Sequence, residues 1–235
     1  MLRLLLALVL AAPQNRYYYE LHIYHCKTPA QVQAMSAFLE RAYLPALHRA
    51  GIPAVGVFTP VTEDTADRRI YVLLPFPSFE SREQWKDMDI ETTWDNAPYI
   101  RMESILMRAF EDMPAPAVPN LQAPKTDRVY ELRSYESPTG TYHENKVRMF
   151  NEGGEVALFQ RLGFNAVFYA DVLEGSHMPN LMYMTTFNSK ADRDQHWAAF
   201  GNDPEWKRLV ALPEYQHNVS KADITFLKPE AYSDF

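Results

Sequence analysis

The chain has 235 residues, of which 47% are hydrophobic and 13% aromatic, which is enough apolar surface for a packed core in one large or two small domains. Its formal net charge of -7 and the absence of any long Lys/Arg run argue against a nucleic-acid or anionic-membrane partner. Cys26 is the single cysteine, which excludes an intrachain disulfide and a thiolate metal cluster.

Residues 1–15 are typical of a signal peptide. Arg3 supplies a positive charge, residues 4–12 form an apolar run, and Ala11 and Ala12 are small residues suited to cleavage. The run is too short to span a bilayer. A buried N-terminal strand or helix, or a wrongly assigned start codon, would also explain this segment. We expect a secreted or periplasmic protein that has no membrane contact after the signal is removed.

A sequence repeat divides the rest of the chain. The segment YELHIY at 19–24 recurs as YELRSY at 130–135, and the same offset relates Arg82 to Arg193. Two separated segments with one offset indicate a duplication. We predict a first, divergent ferredoxin-like repeat at 16–112, a Pro-rich linker at 113–127 and a second repeat at 128–235.

Both copies show the same order of predicted elements. Thr28-Pro29 begins the first helix, Pro45 should kink it, and Gly51 can end it. In the second copy, Ser189 and Asp203-Pro204 begin two helices. The remaining predictions are strands at 17–24, 54–59, 70–76, 102–110, 129–136, 166–172, 181–187 and 220–227, and helices at 78–88 and 142–162.

This order predicts the fold. Strand, helix, strand, strand, helix, strand is the βαββαβ order of a ferredoxin-like unit, whose helices cover one face of the sheet. The other face must be buried against a second sheet, which the duplication supplies. We therefore predict an α+β fold in which tandem ferredoxin-like βαββαβ units form an intramolecular dimeric α/β barrel.

Alternate side chains of each first strand suggest a polar site. We expect the apolar side to meet the helices and the polar side to face the opposing sheet, inside the barrel. Since buried charges require partners, these polar groups make either a ligand or reaction pocket or an ion-pair network that sets the register of the sheets. In the pocket, Glu131 is the acceptor or base, Arg133 the anion clamp and Tyr135 the donor. The equivalent residues of the first copy are Glu20, His22 and Tyr24.

The helix at 190–200 carries further candidates. Arg193, His196, Trp197 and Phe200 share one of its faces, and Trp197 and Phe200 are typical core residues. His196 is a candidate general base or haem ligand, although a histidine paired with a nearby carboxylate is the commoner state. Arg193 and Tyr183 complete the set of candidate ligand contacts.

Metal and cofactor motifs are lacking in the sequence. His22 and His25 point to opposite faces of a strand, so they do not form a metal cluster with Cys26. The sequence has no HExxH, paired CxxC, P-loop, GxGxxG after a strand, or GxSxG. We therefore expect no metal site and no cofactor.

The second copy resembles the NIPSNAP family. The resemblance rests on the segments 129–135 and 182–187, on Arg193 with His196-Trp197, on Asp203-Pro204-Glu205-Trp206-Lys207, and on the ending Tyr232-Ser233-Asp234-Phe235. The first copy resembles it less, because His22 replaces the family's Arg and no Asp-Pro-Glu-Trp segment follows. The resemblance implies a dimeric α/β barrel closed within one chain, and it favours the second copy as the one that carries a site.

The resemblance implies no particular reaction. In fold, the family resembles cofactor-independent monooxygenases, muconolactone-type isomerases and haem-dependent chlorite dismutases, and a shared fold does not establish a shared activity. Three functions remain open. The first is an exported barrel that binds a small molecule. The second is an enzyme of the cofactor-independent oxygenase or isomerase kind, with Glu131 or His196 as base. The third is a structural or protein-interaction module. A homodimer is a further expectation.

Overall fold

A computed structural model describes residues 15–86 and 97–235. The predicted signal peptide, apart from Asn15, and the last two residues of the helix predicted at 78–88 lie outside the described residues.

Eight described strands form one closed antiparallel barrel. They are β1 (Tyr18–Cys26), β2 (Gly56–Pro60), β3 (Arg68–Phe76), β4 (Arg101–Ala109), β5 (Val129–Glu136), β6 (Asn165–Glu174), β7 (Asn180–Phe187) and β8 (Lys221–Pro229). The helices are α1 (Pro29–Phe38), α2 (Leu44–Arg49), α3 (Phe79–Lys86), α4 (Gly140–Phe150), α5 (Glu155–Arg161), α6 (Lys190–Asn202) and α7 (Pro204–Val210), with a 3-10 turn at Pro213–Tyr215.

The barrel consists of two equivalent halves. Around the barrel the order is β1-β3-β2-β8-β5-β7-β6-β4. Each half therefore has its first and third strands in the middle and its second and fourth strands at the edges, which is the ferredoxin-like arrangement. The halves meet where β2 pairs with β8 and where β4 pairs with β6. The predicted fold class, tandem ferredoxin-like units closed into one barrel, is confirmed.

The sequence signals predicted the first residues of the helices correctly. The Thr28 hydroxyl accepts a hydrogen bond from the Gln31 backbone N–H, and the Gln31 side chain accepts one from the Thr28 N–H, which together form a capping box. Ser189 and Asp203 cap α6 and α7, because their side chains accept hydrogen bonds from the backbone N–H groups of Asp192 and Glu205. Just before Pro45, a π-helical turn at Leu39–Tyr43 separates α1 from α2, so the kink occurs where it was predicted.

One predicted helix is wrong. The helix expected at 142–162 is two helices, α4 and α5, separated at residues 151–154. Gly154 has a φ of 84°, in the left-handed region that a continuing α-helix does not use. A side chain at Gly153 would lie 2.5 Å from the Met149 carbonyl oxygen. The two glycines therefore make a turn, in addition to the close backbone packing that was expected of them.

The face prediction for β1 and β5 is also wrong. Tyr19 and Leu21 of β1 and Tyr130 and Leu132 of β5 point into the barrel, where they join a core to which all eight strands contribute. The polar residues alternate with them and point outward, towards the helices. An eight-stranded barrel is just wide enough to be filled by side chains, and here large apolar ones fill it. Glu131, Arg133 and Tyr135, with Glu20, His22 and Tyr24, are therefore not inside the barrel.

The helices of the described ranges include none that is long and apolar enough to cross a membrane.

Candidate functional site

Glu131 is the centre of a buried network between β5 and α6. Its side chain is fully buried and accepts hydrogen bonds from Arg193 Nε (2.7 Å) and Nη2 (2.7 Å), from Trp197 Nε1 (2.8 Å) and from Arg133 Nε (2.7 Å). Two of these residues lie on α6 and one on β5. The carboxylate therefore joins the helix to the outer face of the sheet.

The hydrogen bonds determine the ionisation of Glu131. Burial alone would raise the pKa of this carboxyl, but the hydrogen bond from Arg193 and the attraction of Arg133 outweigh burial and hold the pKa below its ordinary value of 4.5. Four donors already occupy the two oxygens. A carboxylate in this state is a poor general base, because proton uptake would break ion pairs and no lone pair points towards an open space.

A chain of hydrogen bonds continues from Arg133. Its Nη1 donates to the Tyr135 hydroxyl at 2.7 Å, and the Tyr135 and Tyr183 hydroxyls are 2.9 Å apart. The Arg133 guanidinium lies 3.6 Å from the centre of the Trp197 ring, which is a close cation–π contact. Burial raises the pKa of Tyr183 well above its ordinary value of 10.0, so this phenol is neutral.

A second buried ion pair lies beside this chain. Lys146 Nζ of α4 donates to Glu155 Oε2 of α5 at 2.9 Å, and both side chains are buried. The same Nζ is 5.9 Å from the centre of the Tyr135 ring. Lys146 also lines an open cleft of about 400 Å³. Its other lining residues are Met149, Trp206, Val210, Tyr215, Gln216, His217, Asn218 and Val219. Sequence reasoning missed this pair, since neither residue belongs to the repeated segment.

His196 is not part of the Glu131 network. Its Nδ1 lies 2.8 Å from the Asp192 carbonyl oxygen and 3.3 Å from the Asp192 carboxylate. Its ring packs on Phe164 and Phe187, and a side chain at Gly163 would approach its Nε2 to 3.2 Å. The histidine is therefore paired within its own helix and turned away from Arg133 and Tyr135.

The first copy contains a smaller version of the network. Glu20 accepts hydrogen bonds from Arg82 Nε of α3 at 2.6 Å and from His22 Nε2 at 3.0 Å. Burial alone would raise the pKa of Glu20, but the bonds from His22 and Arg82 lower it. Tyr24 lies next to His22 with ring centres 6.2 Å apart, and its hydroxyl shares a hydrogen bond with that of Tyr43.

His25 lies on the opposite face of β1 from His22, as the odd spacing predicted. Its ring nitrogens contact Asp67 at 2.7 Å and Glu103 at 2.9 Å, and Arg101 Nη2 lies 3.1 Å from Nε2. These groups tie the ends of β1, β3 and β4 together. Among the described residues, no group of three or more His, Cys, Asp and Glu side chains has a geometry that could hold a metal ion.

Taken with the fold, this outward-facing network defines a tandem dimeric α/β-barrel protein with its largest polar cluster in the second copy. The NIPSNAP family model matches residues 130–234, which cover that copy. This second copy is therefore a NIPSNAP domain. No curated protein matches it.

Solved structures match over both copies. A monooxygenase-like protein of Lactobacillus acidophilus NCFM is 10% identical, with 91% of this chain and 94% of that chain covered and a TM-score of 0.56. A monooxygenase-like protein of Fusobacterium nucleatum is 7% identical, with 92% and 93% covered and a TM-score of 0.59. An anthrone oxidase-like protein is 12% identical, with 94% of both chains covered and a TM-score of 0.56. At these identities the likeness concerns the fold.

Proposed function

We propose that this chain is an exported small-molecule-binding barrel protein. Its ligand site lies on the outer face of the second copy, at Arg133, Tyr135 and the cleft beside Lys146. This keeps the Glu/Arg/Tyr site of the sequence-based hypothesis but moves it from the barrel interior to the layer between sheet and helices. Export is inferred from residues 1–12 alone, and sequencing the N-terminus of the secreted or periplasmic product tests it.

The main support for this proposal is a phenol hydroxyl group, of Tyr135 or Tyr183, that has no hydrogen-bond acceptor in the described residues. Arg133 donates to the Tyr135 oxygen, and Tyr135 and Tyr183 share one further hydrogen bond. Whichever of the two phenols donates in that bond, the hydroxyl hydrogen of the other has no acceptor among the described residues. A buried donor without an acceptor is costly, so the chain favours a ligand that brings an acceptor oxygen.

The surroundings favour an aromatic body on that ligand. The cleft has Trp206, Tyr215 and Val219 in its walls, and the positively charged Lys146, which also lines it, lies 5.9 Å from the centre of the Tyr135 ring. Apolar walls with a few placed polar groups are the usual composition of a small-molecule site. An aromatic carboxylate or phenolate has both the flat apolar surface and the negatively charged acceptor that this arrangement fits.

The test is calorimetric titration with 1-naphthoate, using 1-methylnaphthalene as the probe that lacks an acceptor. We expect the acid alone to bind, and Tyr135→Phe to weaken binding about tenfold to a hundredfold, the effect of one hydrogen bond to a charged group. Tyr24→Phe, at the equivalent position of the first copy, is the matched control and should bind as the wild type does. Equal binding of both probes, or equal loss in both variants, would contradict the proposal.

The same samples separate binding from catalysis. A cofactor-independent monooxygenase or an isomerase would convert the bound acid, so chromatography of the ligand after long incubation in air distinguishes an enzyme from a binder. Absence of binding by any aromatic acid would favour the remaining function, a structural or protein-interaction module.

A further inference from the structure

The Glu20–His22 pair of the first copy resembles a base with its orienting carboxylate. Glu20 is held as a carboxylate by Arg82, so His22 Nε2, 3.0 Å away, carries the hydrogen that it donates to Glu20. In the neutral imidazole this tautomer leaves a lone pair on Nδ1. The carboxylate therefore fixes which nitrogen of His22 can accept a hydrogen bond.

His22 Nδ1 is buried and has no hydrogen-bond partner among the described residues. The residue is 6% exposed, so water reaches the ring poorly. Buried polar atoms of native proteins nearly always have a partner, and an exception usually marks a functional group or a bound molecule. This acceptor is therefore available to a ligand.

A second buried polar atom without a partner, a donor, lies on a neighbouring ring. Trp85 Nε1 is also buried and without a partner in the described part of the chain, and the rings of Trp85 and His22 have centres 6.0 Å apart. Trp85 packs in addition against Tyr43 and Phe76, with ring centres 6.2 and 5.6 Å away. The two unpartnered nitrogens thus belong to neighbouring rings of one aromatic cluster.

We propose that His22 and Trp85 form a second binding site, distinct from the one in the second copy, for a neutral aromatic alcohol such as a phenol. The ligand hydroxyl donates to His22 Nδ1 and its oxygen accepts from Trp85 Nε1–H. The second copy cannot bind a hydroxyl hydrogen in this way, because Arg133 replaces the histidine and is a donor only. The two copies thus take ligands of opposite hydrogen-bond character.

The test uses 4-methylphenol, with toluene as the probe of the same shape that lacks the hydroxyl. Nitrogen-15 spectra of the histidine rings in the full chain report the tautomer of His22 and the shift of its Nδ1 on titration. We expect a hydrogen on Nε2, a shift of Nδ1 with 4-methylphenol, and binding at least about tenfold tighter than that of toluene, as expected for two hydrogen bonds in a buried site.

Two variants locate the site. His22→Arg, which installs the residue of the second copy, should abolish the preference for the phenol, while His48→Arg, at an exposed histidine that also pairs with a carboxylate, should keep it. Trp85→Phe should weaken binding about fivefold and keeps the proposal testable if His22→Arg does not fold. An unshifted Nδ1 at saturating 4-methylphenol, a hydrogen on Nδ1, or equal binding of toluene would overturn the proposal.

Discussion

The two copies use the same carboxylate to hold a helix on the outside of the sheet, but they surround it differently. In the second copy three residues donate four hydrogen bonds to Glu131, whereas in the first copy the described partners of Glu20 are Arg82 and His22. The additional partner in the second copy is Trp197, whereas Trp85 of the first copy, which the repeat aligns with His196, leaves its Nε1 without a partner in the described residues. We call each carboxylate with its hydrogen-bond donors a carboxylate cluster. After the duplication, the Glu131 cluster has more hydrogen bonds than the Glu20 cluster, next to which polar atoms remain without partners.

The largest expected effect comes from removing the negative charge of Glu131. Glu131→Gln should lower the free energy of unfolding by about 3–5 kcal/mol, because it leaves Arg133 and Arg193 without their buried counter-ion. Glu20→Gln should cost about 1–3 kcal/mol, since it loses charged hydrogen bonds to a partly exposed arginine and a histidine. Urea unfolding of both variants measures the difference. Equal losses in the free energy of unfolding would show that Glu131 and Glu20 contribute equally to stability.

Acid should reduce the stabilisation that the Glu131 carboxylate provides. The folded pKa of Glu131 lies below its ordinary value of 4.5, so the folded state binds this proton less readily than the unfolded state. The stabilisation is therefore complete above about pH 5 and is lost as the pH falls through 4.5 towards the folded pKa. Urea midpoints measured between about pH 6 and pH 3 should fall less steeply in Glu131→Gln than in the wild type. Parallel curves of urea midpoint against pH for the two proteins would show that Glu131 does not contribute to the loss of stability in acid.

The tryptophan pair gives a finer comparison. Trp197→Phe removes a hydrogen bond to Glu131 as well as packing, whereas Trp85→Phe removes packing and no hydrogen bond within the described chain. The first variant should therefore be less stable than the second by about 1.5–3 kcal/mol, the contribution of a hydrogen bond to a charged group. Thermal unfolding of the two variants measures this difference, and a larger loss in Trp85→Phe would contradict it.

The smallest effect concerns the helix turn that only the second copy has. Gly154→Ala should cost about 1 kcal/mol, because the φ of 84° disfavours a side chain although nothing lies within 4 Å of the new Cβ. Gly140→Ala, also in open space but at an ordinary helical position, should be neutral or slightly stabilising. Stabilisation by both changes would mean that the turn adapts to an alanine.

The sequence predicted the strands well because the signal for each strand is local. The strand of the second repeat predicted at 129–136 matches β5 residue for residue, and the caps at Thr28, Ser189 and Asp203 were also found. The break at Gly153-Gly154 was missed because hydrophobic spacing on both sides continues with helical period. A positive φ leaves no trace in that spacing, and only the two adjacent glycines signal it.

The location of the polar site could not be predicted from the strand alone. Alternation shows that Glu131 and Arg133 share a face, but it does not say which face meets the helices. The partners that decide this, Arg193 and Trp197, lie more than sixty residues further along the chain. One signal was available, because Glu20 with Arg82 and Glu131 with Arg193 recur at the same offset, as expected for a charge pair that was duplicated together.

The short joins between the two halves have a consequence for assembly. β2 pairs with β8 over Phe58–Pro60 and β4 pairs with β6 through a shifted register, so the two halves share short strand pairings as well as one barrel core. The second half of another chain can make the same pairings, and two chains can therefore exchange halves to make a dimer with two barrels. Residues 110–128, which contain neither helix nor strand, keep the two halves of one chain at a high effective concentration and so favour the closed monomer. We therefore expect the length of that connection to influence whether two chains exchange halves.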